Sequence, residues 1–212
     1  MDRSPELALQ PDPERLCWAR FLDDVAARHG DRVALRFQPE PDAPWQAWTF
    51  EALRREARRL ARGLIGAGVV KGARVAVWMP NRPEWVVASF AVALAGGVLV
   101  PVNTYATPAE RDYILRHSDA SLLLMQRGLL GHDYLGDLLA QHAGVASGAP
   151  GRIRCEALPH LRRVVCLDAG ARTGAVEPWP ALLAAGEDVD DALLDAASRE
   201  VCLLYTSPSP RD

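Results

Sequence analysis

The feature that most constrains the fold is a regular alternation of short apolar strands and helices between residues 74 and 125. The predicted segments are strands at 74–79, 98–102 and 121–125 and helices at 84–95 and 108–117. Pro83 and Pro108 stand near the helix starts, where proline is favoured because the first turn leaves the backbone N–H unused. This alternation predicts successive β-α-β units, and hence a parallel sheet with helices on both faces.

Weaker patterns extend this core in both directions. Alternating segments at 32–37 and 45–50 predict a β-hairpin, and Thr49 is placed to begin a helix that Gly66 and Gly68 end. The remaining predictions are helices at 16–29, 129–142, 180–185 and 190–197, strands at 163–167 and 200–205, and a loop at 143–151. The predicted fold class is α/β, with a partly parallel sheet flanked by helices and an N-terminal β-hairpin.

Composition and charge exclude several classes of function. The 212 residues are 49% hydrophobic and carry a net charge of −3, which is typical of a globular domain and offers no basic excess for nucleic acid. The uncharged run at 85–102 approaches the length of a membrane span, but Gly96, Gly97 and Pro101 interrupt it. It is interpreted as a buried helix, a turn and a buried strand.

The four cysteines form no C-x-x-C pair, and no secretory signal is visible. We therefore expect free thiols and a cytoplasmic protein without a transmembrane segment, with peripheral association with a membrane left open.

Short motifs do not identify a catalytic or metal site by themselves. The glycines at 66 and 68 open no G-x-G-x-x-G fingerprint, because Lys71 replaces the third glycine and a helix precedes the segment. The sequence contains neither H-E-x-x-H nor G-x-S-x-G. Two hydroxyl residues remain, Thr206 and Ser207, at the end of the last predicted strand. Such residues can bind phosphate oxygens if free backbone N–H groups follow.

Six segments occur in an order that resembles one enzyme family. They lie at 48–53, 66–77, 79–85 (Met-Pro-Asn-Arg-Pro-Glu-Trp), 95–103 (Ala-Gly-Gly-Val-Leu-Val-Pro-Val-Asn), 107–120 and 158–165. Together they resemble the adenylate-forming superfamily of acyl-CoA synthetases, peptide adenylation domains and luciferases, over roughly residues 16–207. Residues 101–105 resemble fatty- or medium-chain acyl-CoA synthetases more than peptide adenylation domains.

The resemblance implies a domain organisation and an activity. We expect a truncated N-terminal subdomain of the adenylate-forming fold, with a flexible tail at 1–13 and a partial AMP-binding domain at 14–207. The family uses ATP and magnesium to convert a carboxylic acid into an acyl-adenylate, and CoA to convert the adenylate into a thioester. The implied partners are a small-molecule carboxylic acid and CoA, without nucleic acid.

The resemblance also gives Thr206 and Ser207 a role as cofactor-binding residues, because the family's Tyr-Thr-Ser strand continues into a glycine-rich phosphate loop with a lysine. Here Pro208 follows, and proline lacks the N–H that a phosphate nest needs. The segment that departs from the family is 208–212, or 202–212 if the match at the two hydroxyl residues is accidental. No catalytic or metal residue is predicted. We expect the 212-residue polypeptide to be inactive and to bind ATP, magnesium and CoA poorly.

Two alternatives stay open. The first is a non-catalytic module of α/β fold that binds a small molecule or a protein. The second is a nucleotide-binding oxidoreductase, which would require glycines after the first strand, where Gln38 and Pro39 stand instead.

Overall fold

The structure, a computed structural model, describes residues 18–39, 42–170 and 173–199. Within these residues a five-stranded parallel sheet forms the centre, and a separate antiparallel hairpin lies near its start. The strands are β1 (Val33–Phe37), β2 (Gln46–Thr49), β3 (Arg74–Trp78), β4 (Val98–Pro101), β5 (Leu122–Met125), β6 (Arg163–Cys166) and β7 (Val176–Pro178). The helices are α1 (Trp18–His29), α2 (Phe50–Gly66), α3 (Pro83–Leu94), α4 (Pro108–His117), α5 (Tyr134–Gln141), α6 (Ala143–Ala146), α7 (Trp179–Ala184) and α8 (Asp191–Arg199).

The order of the strands creates a change of direction beside β3. The sheet runs β4-β3-β5-β6-β7, so the chain leaves β3 for β4 on one side and then crosses to β5 on the other. Val75 of β3 is paired with Leu99 of β4 and with Leu122 of β5, and both pairings are parallel. A reversal of this kind opens a crevice at the carboxyl ends of the strands, where α/β proteins bind ligands.

Each central strand is buried on both faces, because successive side chains point to opposite sides of a sheet. Val75 and Val77 of β3 join a core formed with α1, α2, α3, α7 and α8. Ala76 and Trp78 join a second core formed with α4, α5 and α6. The predicted α/β fold class, with its partly parallel sheet, flanking helices and hairpin, is confirmed.

The predicted starts of α2 and α4 are also confirmed. The Thr49 hydroxyl accepts a hydrogen bond from the Ala52 N–H at 3.2 Å and caps α2. Thr107 and Glu110 form a reciprocal capping box at the start of α4, with the Thr107 N–H donating to Glu110 Oε2 at 2.8 Å. The apolar run at 85–102 divides into a buried α3, a turn and the strand β4, as predicted. The prediction that this strand is buried is wrong, because β4 lies at the end of the strand order and its residues are half-buried or exposed. Among the described residues, none of the helices has the length and apolar character needed to cross a membrane.

The predicted helix at 129–142 is wrong at its start. Leu130 and Gly131 have positive φ angles of 51° and 85°, which no right-handed helix contains. The Asp133 carboxylate accepts the Gly136 N–H at 3.1 Å, so α5 begins only at Tyr134. The apolar Leu129 and Leu130 resemble a helix face in sequence but belong to a tight turn.

Two further elements depart from the predictions. The segment 143–151, predicted as a loop, contains the short helix α6, and the strand β7 was not predicted at all. β7 has three residues and ends in Pro178, so it carries too little alternation to be recognised. The predicted strand at 200–205 lies outside the described residues.

Helices α2 and α7 approach so closely that the facing positions of α2 have no room for a side chain. A Cβ atom on Gly63 would lie 2.5 Å from the Leu182 carbonyl oxygen, and one on Gly66 would meet the Ala185 carbonyl. Both glycines lie within α2, so close packing and not backbone conformation requires them.

Replacement of Gly63 by alanine tests this close packing. Alanine favours a helix by ~1 kcal/mol over glycine, but here we expect Gly63→Ala to lower the free energy of unfolding by about 1–3 kcal/mol because the Cβ is overpacked. Urea denaturation measures the change. Arg59→Ala, at an exposed position of the same helix, is the matched control, with an expected change within ~0.5 kcal/mol. A stabilising Gly63→Ala would contradict the close approach of the two helices.

Ion pairs attach α8 to α2. The Asp191 carboxylate accepts hydrogen bonds from Arg62 Nη2 at 2.6 Å and from Arg58 Nη2 at 3.1 Å, and Asp195 accepts one from Arg58 at 2.8 Å. Hydrogen bonds from Arg58 and then Arg62 lower the pKa of Asp191 below its ordinary value of 3.8. A lowered carboxyl pKa stabilises the fold above the unfolded pKa, and this stabilisation is lost as the pH falls through the folded pKa.

The lowered pKa of Asp191 predicts how the stability of an Asp191→Asn variant depends on pH. At pH 6 and low salt we expect the variant to have a lower urea midpoint than the wild type, and the difference to shrink toward pH 3. Because the carboxylate is exposed, salt should also reduce the difference. Asp188→Asn, at an exposed position between α7 and α8, should show no such pH-dependent difference. An equal difference at both pH values would show that the ion pairs do not stabilise the fold.

Candidate functional site

The crevice predicted by the strand order contains a well-formed cleft. It has a volume of about 370 Å³ and lies where the segments after β3, β4 and β5 meet. Trp78 ends β3, Tyr105 follows β4, and Leu130 and Tyr134 follow β5. The cleft is therefore at the position where parallel sheets bind ligands.

Aromatic stacking forms the inner wall of the cleft. The rings of Trp78 and Tyr134 are stacked with their centroids 4.4 Å apart. The guanidinium of Arg111 lies 5.4 Å from the centroid of the Trp78 ring, which is within the range of a cation–π interaction. The Tyr134 O–H donates to the Thr104 carbonyl at 2.7 Å and so connects α5 to the segment after β4. Burial raises the pKa of Tyr134, which keeps its phenol a neutral donor.

Trp78 supplies a polar group that the protein does not use. Its side chain is 2% exposed, and its Nε1–H is buried without a hydrogen-bond acceptor among the described residues. A buried donor without a partner costs about 1–3 kcal/mol. The nitrogen is also closed off from solvent, so it is not a contact point for a ligand in the cleft.

A second, more open cleft adjoins the first on the other side of Tyr105 and Leu130. Its volume is about 640 Å³, and it is lined by Met79, Asn81, Trp85 and Asn103. These residues belong to two of the six segments that carry the family resemblance, 79–85 and 95–103. The Asn103 side-chain oxygen accepts the Tyr105 N–H at 2.9 Å, which fixes the turn between the two clefts.

Charged groups at the same edge of the sheet are mostly engaged with each other. The Arg127 N–H donates to Asp168 at 2.6 Å, and Arg82 contacts both Glu84 and Gln126. No group of three histidine, cysteine or acidic side chains within the described residues is placed to hold a metal ion. The lining of the cleft therefore favours a ligand with apolar or aromatic surface.

A larger cleft of the described structure lies elsewhere and has a different character. It encloses about 1050 Å³ between α1, α2, α7 and α8. Its arginines face carboxylates of the same chain, among them Arg54 with Glu51 at 2.8 Å and Arg58 with Asp195 at 2.8 Å. Internal pairing of this kind indicates a packing surface between helices, so volume alone does not identify the functional site.

The two residues predicted to bind phosphate, Thr206 and Ser207, lie outside the described residues. The structure therefore does not test their role, which stays a prediction. The sequence analysis did not predict the residues that do form the cleft, which are Trp78, Arg111 and Tyr134. Their positions are separated by more than twenty residues along the chain, and no short motif connects them.

Comparison with known proteins gives the family. The model of the AMP-binding enzyme family matches residues 22–209. A putative acyl-CoA synthetase, YngI of Bacillus subtilis, is 30% identical over 176 residues, which cover 83% of this chain and 31% of that protein. The mitochondrial medium-chain acyl-CoA ligase ACSF2 of Pongo abelii is 32% identical over 148 residues, covering 70% of this chain and 23% of the ligase. The chain thus spans less than a third of the length of these relatives.

Solved structures agree with the fold. The coronafacic acid ligase of Pectobacterium brasiliense, as its R395G mutant form, superposes with a TM-score of 0.64 at 16% identity, covering 82% of this chain and 30% of that one. The anthranilate CoA ligase AuaEII gives a TM-score of 0.59 at 24% identity over 76% of this chain and 26% of its own. At this identity the likeness concerns the fold alone. With the family model matched along most of its length, the chain belongs to the AMP-binding enzyme family.

Proposed function

We propose that the chain is the N-terminal part of an ATP-dependent carboxylic acid–CoA ligase. The observation that carries the proposal is the match of residues 22–209 to the AMP-binding enzyme family together with relatives named as acyl-CoA synthetases and ligases. The cleft at the carboxyl ends of β3, β4 and β5 supports it, because this edge is where an α/β sheet presents its ligand.

The proposed reaction has two steps. A carboxylate oxygen of the acid attacks the α-phosphorus of ATP, and the bond to the β-phosphate oxygen breaks to release pyrophosphate. The thiol of CoA then attacks the acyl carbon of the adenylate, and AMP leaves with the bonding electron pair. Both steps develop negative charge on phosphate oxygens, which magnesium and hydrogen-bond donors stabilise. We assign Thr206 and Ser207 to this task as phosphate ligands.

A fatty or medium-chain acid is the proposed substrate class. The ACSF2 relatives are named as medium-chain acyl-CoA ligases, and residues 101–105 resemble such enzymes. The cleft wall built from Trp78 and Tyr134 offers apolar aromatic surface suited to an alkyl chain. We propose the cytoplasm as the compartment, although the ACSF2 relatives are named as mitochondrial.

We further propose that the 212-residue polypeptide alone does not form an adenylate. Pro208 and Pro210 follow Ser207 in place of the glycines of a phosphate loop, and proline has no backbone N–H to donate to a phosphate oxygen. ATP–pyrophosphate exchange with octanoate or palmitate should therefore remain at background for this polypeptide. Exchange above background would overturn this part of the proposal.

The function itself is tested on a longer protein in which residues 1–207 continue into the glycine-rich phosphate loop of the family. We expect that protein to exchange pyrophosphate into ATP only when a fatty or medium-chain acid is present, and to form the CoA thioester. Where Thr206 is retained in that protein, Thr206→Ala should reduce kcat/KM by about tenfold to a hundredfold, as loss of a transition-state donor does. Ser147→Ala, which removes a hydroxyl bonded only to the Ala143 carbonyl of α6, is the control. Absence of exchange with every acid would contradict the ligase assignment.

One observation favours a second candidate, a module that binds a small molecule without catalysis. The cleft lined by Trp78 and Tyr134 offers aromatic surface to a ligand, and binding there needs no ATP. If the chain is such a binding module, octanoate should bind the 212-residue polypeptide in ligand-observed NMR. Trp78→Phe, which replaces the indole lining the cleft by a smaller ring, should weaken that binding by about twofold to tenfold because apolar contact area is lost. Tyr113→Phe, at an exposed position of α4, is the control, and it should bind octanoate as tightly as the wild type does.

A further inference from the structure

A cysteine, a histidine and an aspartate outside the cleft contact each other in succession. Cys155 Sγ lies 3.5 Å from His142 Nδ1, and His142 Nε2 lies 3.0 Å from Asp112 Oδ2. His142 is 5% exposed, whereas Cys155 is only partly buried. The three side chains come from α4, from the junction of α5 and α6, and from the segment after α6.

The hydrogen bonds decide which imidazole nitrogen can act as a base. An ionised carboxylate only accepts hydrogen bonds, so the proton of the neutral imidazole lies on Nε2 and is donated to Asp112. Nδ1 then carries the free lone pair and faces the thiol of Cys155. A nucleophile within reach of a base, with a third group orienting that base, is the arrangement that activates thiols.

The surrounding contacts hold this arrangement in place. Arg111 is 1% exposed; its Nε donates to Asp112 at 2.8 Å and its Nη2 to Gln141 at 2.9 Å, so the carboxylate is fixed and its charge is balanced. Arg111 Nη2 is 3.4 Å from His142 Nε2, farther than the carboxylate, which leaves Asp112 as the partner of the ring. Along the segment of Cys155, the flanking Arg154 and Glu156 are both exposed.

Backbone packing sets the position of Cys155 relative to the imidazole. The His142 carbonyl accepts the N–H groups of Val145 and Ala146 at the start of α6, so the residue is held at the helix junction. A Cβ on Gly144 would collide with the Arg154 carbonyl, which places α6 directly against the backbone beside Cys155. The thiol and the base are therefore held by rigid contacts on both sides.

We propose that Cys155 is an activated thiol that forms a mixed disulfide with small-molecule disulfides, with His142 as its base and Asp112 as the residue that orients the base. The thiol proton passes to His142 Nδ1, and Sγ attacks one sulfur of the disulfide. A new S–S bond forms as the old one breaks, and the second sulfur leaves as a thiolate. Displacement at sulfur develops no oxyanion, so this chemistry needs only the base and access to solvent.

Cys166 provides an internal comparison. It is fully buried, has no histidine partner among the described residues, and burial raises the pKa of its thiol to about 12. Cys166 should therefore stay unmodified in the folded chain, while Cys155 reacts.

The test uses limiting dithiobis-nitrobenzoate on the folded 212-residue chain, with modified cysteines identified by peptide mapping. A synthetic peptide of residues 150–160 is the unactivated reference. At pH 7 an ordinary thiol with a pKa near 8.5 is only ~3% thiolate. We therefore expect Cys155 to react about tenfold faster in the protein than in the peptide. At pH 10, where free thiols ionise unaided, the ratio of the two rates should fall at least about fivefold. Partial burial slows Cys155 in the protein at both pH values, so it does not affect the change in the rate ratio between them.

Substitutions separate activation from mere exposure. Cys155→Ser should abolish the mapped modification. His142→Gln should slow the reaction of Cys155 about tenfold at pH 7 and little at pH 10, as removal of a base does; circular dichroism verifies its fold. If His142→Gln does not fold, the comparison of wild type with peptide decides alone. A protein-to-peptide ratio that does not change with pH, or modification of Cys166 before Cys155, would overturn the proposal.

Discussion

Burial of β3 on both faces is the constraint on which the rest of the structure depends. Its residues Val75 to Trp78 are all at most 2% exposed, and they alternate between two cores. A strand buried on both sides must be covered by helices on both sides, and it must receive neighbours at both edges for its backbone groups. The crossing of the chain from β4 to β5 satisfies both needs, and it also opens the crevice at the carboxyl end of β3.

A single buried cation connects this crevice to the second core. Arg111 faces the Trp78 ring on one side and Asp112, Gln141 and His142 on the other. A buried charge is tolerated only when it is paired and hydrogen-bonded, and here the guanidinium contacts an aromatic ring, a carboxylate and an amide. The cleft that we associate with ligase chemistry and the proposed thiol of Cys155 are therefore parts of one contact network. Of these side chains, Arg111 and Asp112 lie in the segment 107–120, which shares in the family resemblance, whereas Tyr134, His142 and Cys155 lie outside the six segments.

The sequence predicted the elements whose signals are local. The start of α2 at Thr49 and of α4 at Thr107 could be predicted because capping is decided by residues within one turn. The strands β3 and β5 could be predicted because their burial leaves continuous apolar runs. The start of α5 could not, because Leu129 and Leu130 are apolar in a turn whose positive φ angles come from Leu130 and Gly131. β7 was missed because three residues carry no periodicity.

What the sequence by itself determined is therefore the class of fold and the family, since apolar periodicity, helix caps and the order of motifs are written along the chain. What only the tertiary structure decided is which distant side chains meet. Trp78, Arg111 and Tyr134 form one wall although no spacing rule connects them, and Cys155, His142 and Asp112 align although their sequence neighbours are unremarkable. Contacts of this kind depend on where the sheet places its crossovers and on how closely the helices pack, and glycines such as Gly63 and Gly144 set that closeness.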